Sequence, residues 1–313
     1  MQFDGVIFPG QGTQYLGMGK DFVELYEDAK QIFNIANDTL NINLYEICQN
    51  DEIKLNDTKY TQPCILAIEI AMYKVLKNYY DFSPTFFAGH SLGEYTALVA
   101  AKVIPFDVAL KIVHFRGELM QNAIIDNKEG SMVAIIADPL PLEQIKHICS
   151  NFKVDIANEN SIQQIVLSGY NEDIQATVNQ IEKTLANPSM RIVYLAVKSP
   201  FHSRYMQKIE EPFQDYLLQF KHKFNTAALT SVISNYDGDF YPDSNTETLI
   251  KYLTKQISGS VKWQKNMVAL LKHAKHILEV GPAAPLRGFF KSIGVTVQSV
   301  TNVKTLNKMF VNI

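Results

Sequence analysis

The stretch Phe86-Phe87-Ala88-Gly89-His90-Ser91-Leu92-Gly93-Glu94-Tyr95-Thr96-Ala97-Leu98-Val99-Ala100-Ala101 reads as a short buried strand, a tight corner and a helix. Within it, Gly89-His90-Ser91-Leu92-Gly93 has the G-x-S-x-G spacing, whose chemistry depends on that strand-to-helix context. Pro84 to Ala88 supplies the strand and Glu94 to Ala101 the helix. Ser91 is thereby a candidate nucleophile at the corner. Gly89 and Gly93 permit a sharp turn and close packing, and a helix N-terminus offers peptide N–H groups to a developing oxyanion. The alternative is a buried turn with an idle serine.

A chain of 313 residues, 47% hydrophobic and 19% charged, has room for one large domain and a second, smaller one. The net charge of −3 leaves no basic footprint, so no nucleic-acid partner is expected. Cys48, Cys64 and Cys149 lack C-x-x-C spacing and are expected as reduced core thiols. No metal is expected, because no pair of histidines has metal-ligand company. The N-terminus lacks the basic and apolar regions of a leader, and no run is apolar for the length a bilayer needs. A cytoplasmic protein with no membrane partner is expected.

Outward from the corner, Gly5 to Phe8 reads as a strand entering the glycine-rich turn Pro9-Gly10-Gln11-Gly12, which would bring Gln11 close to a site. Asp21 to Leu40 has the period of an amphipathic helix. Cys64 to Tyr80 is apolar nearly all round, as in a central buried helix. Thr61 or Gln62 would cap it, with Pro63 in the permissive first turn. The alternative turns Gln62 toward a site, and local propensity favours the cap. In a helix from Phe106 to Ile124, Arg116 falls among apolar positions. A guanidinium there needs either a structural ion pair or an anionic ligand, and spacing does not choose between them.

Past a polar break from Asp126 to Gly130, the pattern is strand (132–136), helix (142–152), strand (154–158), strand (164–168), helix (172–185) and strand (191–197). This βαββαβ order is ferredoxin-like. It predicts a subdomain over 129–198 inserted between 1–128 and 199–313, with a ligand cleft beside it. His202 follows at a strand-to-helix boundary and is the best-placed general base, with an unshifted pKa of about 6.5. Ile233 to Gly238 reads as a strand into a turn, Thr246 to Ile257 as a helix, Val261-Lys262-Trp263 as the start of another, and His276 to Pro282 as a strand into a turn. Alternating strands and helices on both sides of the insertion predict an α/β core with a mostly parallel sheet.

FPGQGTQ, YTQP, GHSLGEYTALVAA, RGELM, ANENSIQQIVLSG, FHSRYM, VISN and EVGP resemble, in this order and over nearly the whole chain, the malonyl-CoA:acyl carrier protein transacylase family. The resemblance implies an α/β-hydrolase-like core with a ferredoxin-like insertion, and transfer of a malonyl group from malonyl-CoA to the phosphopantetheine thiol of an acyl carrier protein. It makes Ser91 the nucleophile and His202 the base, with the backbone amides of Gln11 and Leu92 as oxyanion hole. Arg116 becomes the partner of the malonyl carboxylate, Gln256 the residue whose main-chain carbonyl orients His202, and Gln62 and Asn160 cleft residues. Phe201 goes with malonyl rather than methylmalonyl. No bound cofactor is implied, and a monomer is expected.

FHSRYM and ANENSIQQIVLSG are similar to discrete acyltransferases that load polyketide synthases in trans, whereas the spacing from RGELM to SMVAI is that of fatty-acid enzymes. The former resemblance tilts the reading toward a polyketide role. Two alternatives are an acyl hydrolase acting on carrier proteins, whose relatives lose the arginine, and a non-catalytic carrier-docking protein, which would lack nucleophile or base.

Overall fold

In this computed structural model, residues 3–123 and 129–311 are described. Ile124, where the Arg116 helix was expected to end, and Asp126 to Lys128 of the polar break lie outside them. Eight strands fall in two sheets among the described residues: β1 (Gly5–Phe8), β2 (Phe86–Gly89), β3 (Gly130–Ile136), β4 (Asp155–Ser161), β5 (Gln164–Tyr170), β6 (Arg191–Tyr194), β7 (Ile277–Val280) and β8 (Gln298–Val300). The first sheet has the order β2-β1-β7-β8, and all its pairs are parallel. Gly5 is opposite Phe86 and Phe8 opposite Gly89, so β1 and β2 end together. Pro9-Gly10-Gln11 and His90-Ser91-Leu92 therefore leave side by side at the carboxyl edge, where open parallel sheets bind ligands. Only glycine fits this crossing: a Cβ on Gly93 would overlap the Phe8 carbonyl, and one on Gly10 that of His90.

The second sheet is antiparallel in the order β4-β5-β3-β6, the ferredoxin-like arrangement for its βαββαβ connectivity. Strand alternation gives it two buried faces. Val133, Ile135, Ile165 and Leu167 pack with Ile145, Ile148, Ile174 and Val178 of the Leu142–Asn151 and Asn171–Leu185 helices. Met132, Ala134 and Val166 point the other way, into the main core. The sheets are stitched together where Val261 donates to the Ala157 carbonyl (2.8 Å) and accepts from the Glu159 amide (3.0 Å).

Four local expectations change. The central helix runs Thr58–Tyr79, capped by the Asp57 side chain on the Lys59 amide, so Pro63 is interior and neither Thr61 nor Gln62 is the cap. The earlier start wins because nearly every side chain from Thr61 to Leu76 is buried, enough packing to carry an interior proline. The helix expected over Asp21 to Leu40 is broken at Tyr26, which is extended, with its hydroxyl 2.7 Å from that of Tyr80. The strand expected over Arg191 to Val197 stops at Tyr194; the chain then turns, the Val197 amide donating to the Leu195 carbonyl. The strand expected from Ile233 is replaced by single bridges, Val232 to Phe87 and Ile233 to Phe240, after which the Asn235 amide donates to the buried Glu94 carboxylate (2.9 Å) and not to a neighbouring strand. No helix among the described residues is long and apolar enough to cross a membrane. Cys48, Cys64 and Cys149 are buried and free.

Candidate active site

Ser91 stands at the cap of the Leu92–Ala100 helix with φ 52° and ψ −101°. A non-glycine residue held there costs roughly 1–3 kcal/mol, which the surroundings must offset. They do so from three sides. The Ser91 amide donates to Asn235 Oδ1 (2.6 Å), Asn235 Nδ2 donates to the Gly89 carbonyl (2.8 Å), and Gln256 Nε2 donates to the Ser91 carbonyl (3.0 Å). The hydroxyl that this corner presents is 2.7 Å from His202 Nε2.

His202 is buried, with φ also positive at 54°. Its Nδ1 lies 2.8 Å from the Gln256 carbonyl oxygen and 3.2 Å from that of Gly259. Both are acceptors, so Nδ1 carries the proton and Nε2 is left to accept one from Ser91. Main-chain carbonyls thus do the orienting that a carboxylate does in a Ser-His-Asp site. Burial, and then the charge of Arg116, depress the His202 pKa from 6.5 to about 3. The base therefore stays neutral well below the unshifted value of about 6.5. Acylation rate measured against pH should hold through 6.5 and fall only well below it; a limb at 6.5 would mean that the ring is hydrated during turnover.

Arg116 is buried at 1% exposure, and among the described residues no carboxylate lies within ion-pair distance of it. Instead Nη1 donates to Gln62 Oε1 (2.9 Å), while Nη2 donates to Gln256 Oε1 (2.9 Å) and Ser91 Oγ (3.1 Å). The guanidinium carbon lies 5.3 Å from the centre of the Tyr95 ring. Of the two readings left open by spacing, the structural ion pair is absent among the described residues. Gln62 faces the site as the guanidinium's acceptor, the reading that local propensity had disfavoured.

A cavity of about 100 Å³ opens over Ser91. Met120, Met132, Leu195, Val197 and Phe201 make its apolar wall, and Gln11, Gln62, Arg116 and Asn158 bring polar groups. Among the described residues, neither the Gln11 nor the Leu92 amide donates to a protein acceptor, and both residues line this cavity. The Gln11 side chain is turned aside to Thr58 Oγ1 (3.1 Å). Asn160 does not line the cavity: it is buried behind it, with Oδ1 2.8 Å from His90 Nε2, and Asn158 occupies the wall. The pairing of β4 is irregular between Ile156 and Asn158 and between Glu159 and Ser161, so strand alternation alone does not say which of its side chains reaches the wall. His90 packs on Trp263 (5.6 Å), and burial lowers its pKa to about 4, so it is neutral. No group of three or more His, Cys, Asp or Glu among the described residues is arranged to hold a metal.

Asn235 and Glu94 escaped the sequence reading as site residues. Both lie inside quoted motifs, VISN and GHSLGEY, but nothing in their spacing shows that they meet.

An oriented serine and histidine beside two free amides make a site for acyl transfer through a covalent ester, and the chain belongs to the acyl transferase domain family, which it matches over residues 6–301. It is 35% identical over 313 residues to a malonyl CoA-acyl carrier protein transacylase of Staphylococcus aureus (strain MRSA252), covering 98% of this chain and 97% of the relative. A crystal structure of the Clostridium perfringens malonyl CoA-acyl carrier protein transacylase superposes with a TM-score of 0.87 at 32% identity, over 97% of this chain and 95% of that one. A malonyl-transacylase solved in complex with a type II PKS acyl-carrier protein gives a TM-score of 0.89 at 30% identity, over 99% of each chain.

Proposed function

We propose that this chain is a malonyl-CoA:acyl carrier protein S-malonyltransferase working by a ping-pong route through malonyl-Ser91. The observation that carries the reading is the buried Arg116 guanidinium, which has no ion-pair partner among the described residues and whose Nη2 lies 3.1 Å from the nucleophilic oxygen. In a malonyl thioester the carboxylate carbon is two bonds from the reacting carbonyl carbon. A cation this close to Ser91 suits that short reach, and the small cavity suits a short acyl group.

Ser91 Oγ attacks the thioester carbonyl as its proton passes to His202 Nε2. The Gln11 and Leu92 amides hold the oxyanion, each such donor being worth about 2.7–4 kcal/mol. Collapse of the tetrahedral intermediate breaks the C–S bond, and coenzyme A departs with the proton from His202. The phosphopantetheine thiol of the carrier then gives its proton to His202 and attacks the ester. Malonyl-carrier forms, and the proton returns to Ser91. Phe201 on the wall narrows the space beside the malonyl methylene, disfavouring a branch methyl by about 1–3 kcal/mol. No cofactor takes part.

We assign 1–128 with 199–313 to the catalytic body and 129–198 to the lobe that closes the acyl pocket with Met132, Asn158, Leu195 and Val197. Malonyl-CoA as donor and three free thiols fit a cytoplasmic enzyme. Carriers of fatty-acid and polyketide systems present the same thiol, so the pocket's chemistry serves either.

Arg116→Ala tests the reading. It removes the partner of a carboxylate that acetyl-CoA lacks, so malonyl-CoA should lose about 2–5 kcal/mol in kcat/KM relative to acetyl-CoA. Loss of acyl orientation should also raise the share of turnover lost to water, the behaviour of the hydrolase alternative. An unchanged malonyl-to-acetyl ratio in the folded variant would leave Arg116 with no part in malonyl recognition.

A further inference from the structure

Glu94 is a second buried charge at this site, and the mechanism does not use it. It is fully buried at 0% exposure. Its carboxylate accepts from the Asn235 amide (2.9 Å), Gln256 Nε2 (2.8 Å) and the Tyr241 hydroxyl (2.6 Å). Among the described residues no cation is within ion-pair distance, so Glu94 and Arg116 are each without a direct opposite charge. They meet through one side chain: Gln256 turns Nε2 to the carboxylate and Oε1 to Arg116 Nη2 (2.9 Å). The amide dipole thus lies along the line from anion to cation.

We infer that Glu94 is the counter-charge of Arg116, relayed by the Gln256 side chain, and that it sets how strongly the site prefers an anionic acyl group. The inference rests on the malonyl reading and deepens it. A buried guanidinium with no balancing anion would hold a carboxylate strongly, because interior charges are poorly screened. With Glu94 ionised, the empty site is already balanced, and the malonyl carboxylate enters as a surplus negative charge. Its grip is tempered. A transferase needs that, since the group it recognises must leave on the carrier. Burial raises the Glu94 pKa, while its three hydrogen-bond donors and then the Arg116 charge oppose the rise. Arg116 feels the converse influence, burial lowering its pKa and Glu94 among the groups that raise it. Glu94 touches no substrate, so it is a specificity-setting positioning residue.

Glu94→Gln isolates the charge. The new carbonyl can accept from Asn235 and Gln256, and the new NH₂ can donate to a Tyr241 hydroxyl that turns round, so shape and hydrogen bonding survive. The malonyl-to-acetyl ratio of kcat/KM should rise by about tenfold, chiefly through a lower KM for malonyl-CoA, with acetyl-CoA little changed. A residue that only filled the core would change both substrates alike. Glu94→Asp keeps the charge and should leave the ratio near that of the parent even where both rates fall. An unchanged or lower ratio in Glu94→Gln overturns the inference, as does an Asp variant whose ratio rises; should the Gln variant fail to fold, Glu94→Met, which also removes the charge, is scored by the same ratio. Malonyl loading of the parent is scored separately by intact mass, so failure of the underlying reading is distinguishable from failure of the Glu94 role.

Discussion

Ser91→Ala should carry no acyl group after incubation with malonyl-CoA and pass none to a carrier. The expected loss in kcat is on the order of 10⁶, the scale seen when the nucleophile of a serine-histidine site is removed, because the covalent ester has no other oxygen on which to form. The fold should survive the change. The braces on the corner run from Asn235 and Gln256 to the backbone of Ser91 and Gly89, and alanine keeps them. Alanine also bears the same positive φ at about the cost that serine does. Intact mass after malonyl-CoA, with and without a carrier, is the measurement. A variant that still gains one malonyl group at another residue would show that the nucleophile has been misassigned.

His202→Ala should slow acylation by about 10²–10⁴-fold, the usual worth of a positioned general base. The size of the effect should be similar for malonyl-CoA and acetyl-CoA, since the imidazole handles the serine proton and not the acyl carboxylate. That separates it from Arg116→Ala, whose penalty falls on malonyl-CoA. With Nδ1 donating to the Gln256 and Gly259 carbonyls, the ring has one orientation and Nε2 is left as its one free acceptor. Single-turnover loading of the folded variant from both thioesters tests this. Near-parent rates would remove His202 from the mechanism.

The two kinds of residue were not equally legible. The serine corner could be read because a strand, two glycines and a helix are local, and their consequence for Ser91 needs no distant partner. The antiparallel lobe could be read because period-2 and period-3.6 patterns alternate in a ferredoxin-like order, and both faces of β3 were apolar. Gln62, which the family resemblance put in the cleft, was misplaced by local propensity for the opposite reason. A proline after a polar pair signals a helix start locally, but Asp57 caps five residues earlier and the packing of the long helix carries the proline inside. Asn160 was expected in the cleft, but Asn158 lines the wall instead, and the irregular pairing of β4 is announced by no residue type.

By itself, then, the sequence determined the α/β class, the ferredoxin-like lobe and a serine at a tight corner, because each follows from periodicity and backbone chemistry within a few residues. Only the tertiary structure decided what Arg116 is for. An arginine in an apolar helix is compatible with an ion pair or a ligand, and the choice depends on which groups converge on it from elsewhere in the chain. Here those are Gln62, 54 residues away, and Gln256, 140 residues away, both uncharged. The nearest compensation is Glu94, one amide removed through Gln256. Charge balance in a buried site is a property of the whole packed neighbourhood, so no window of sequence contains it.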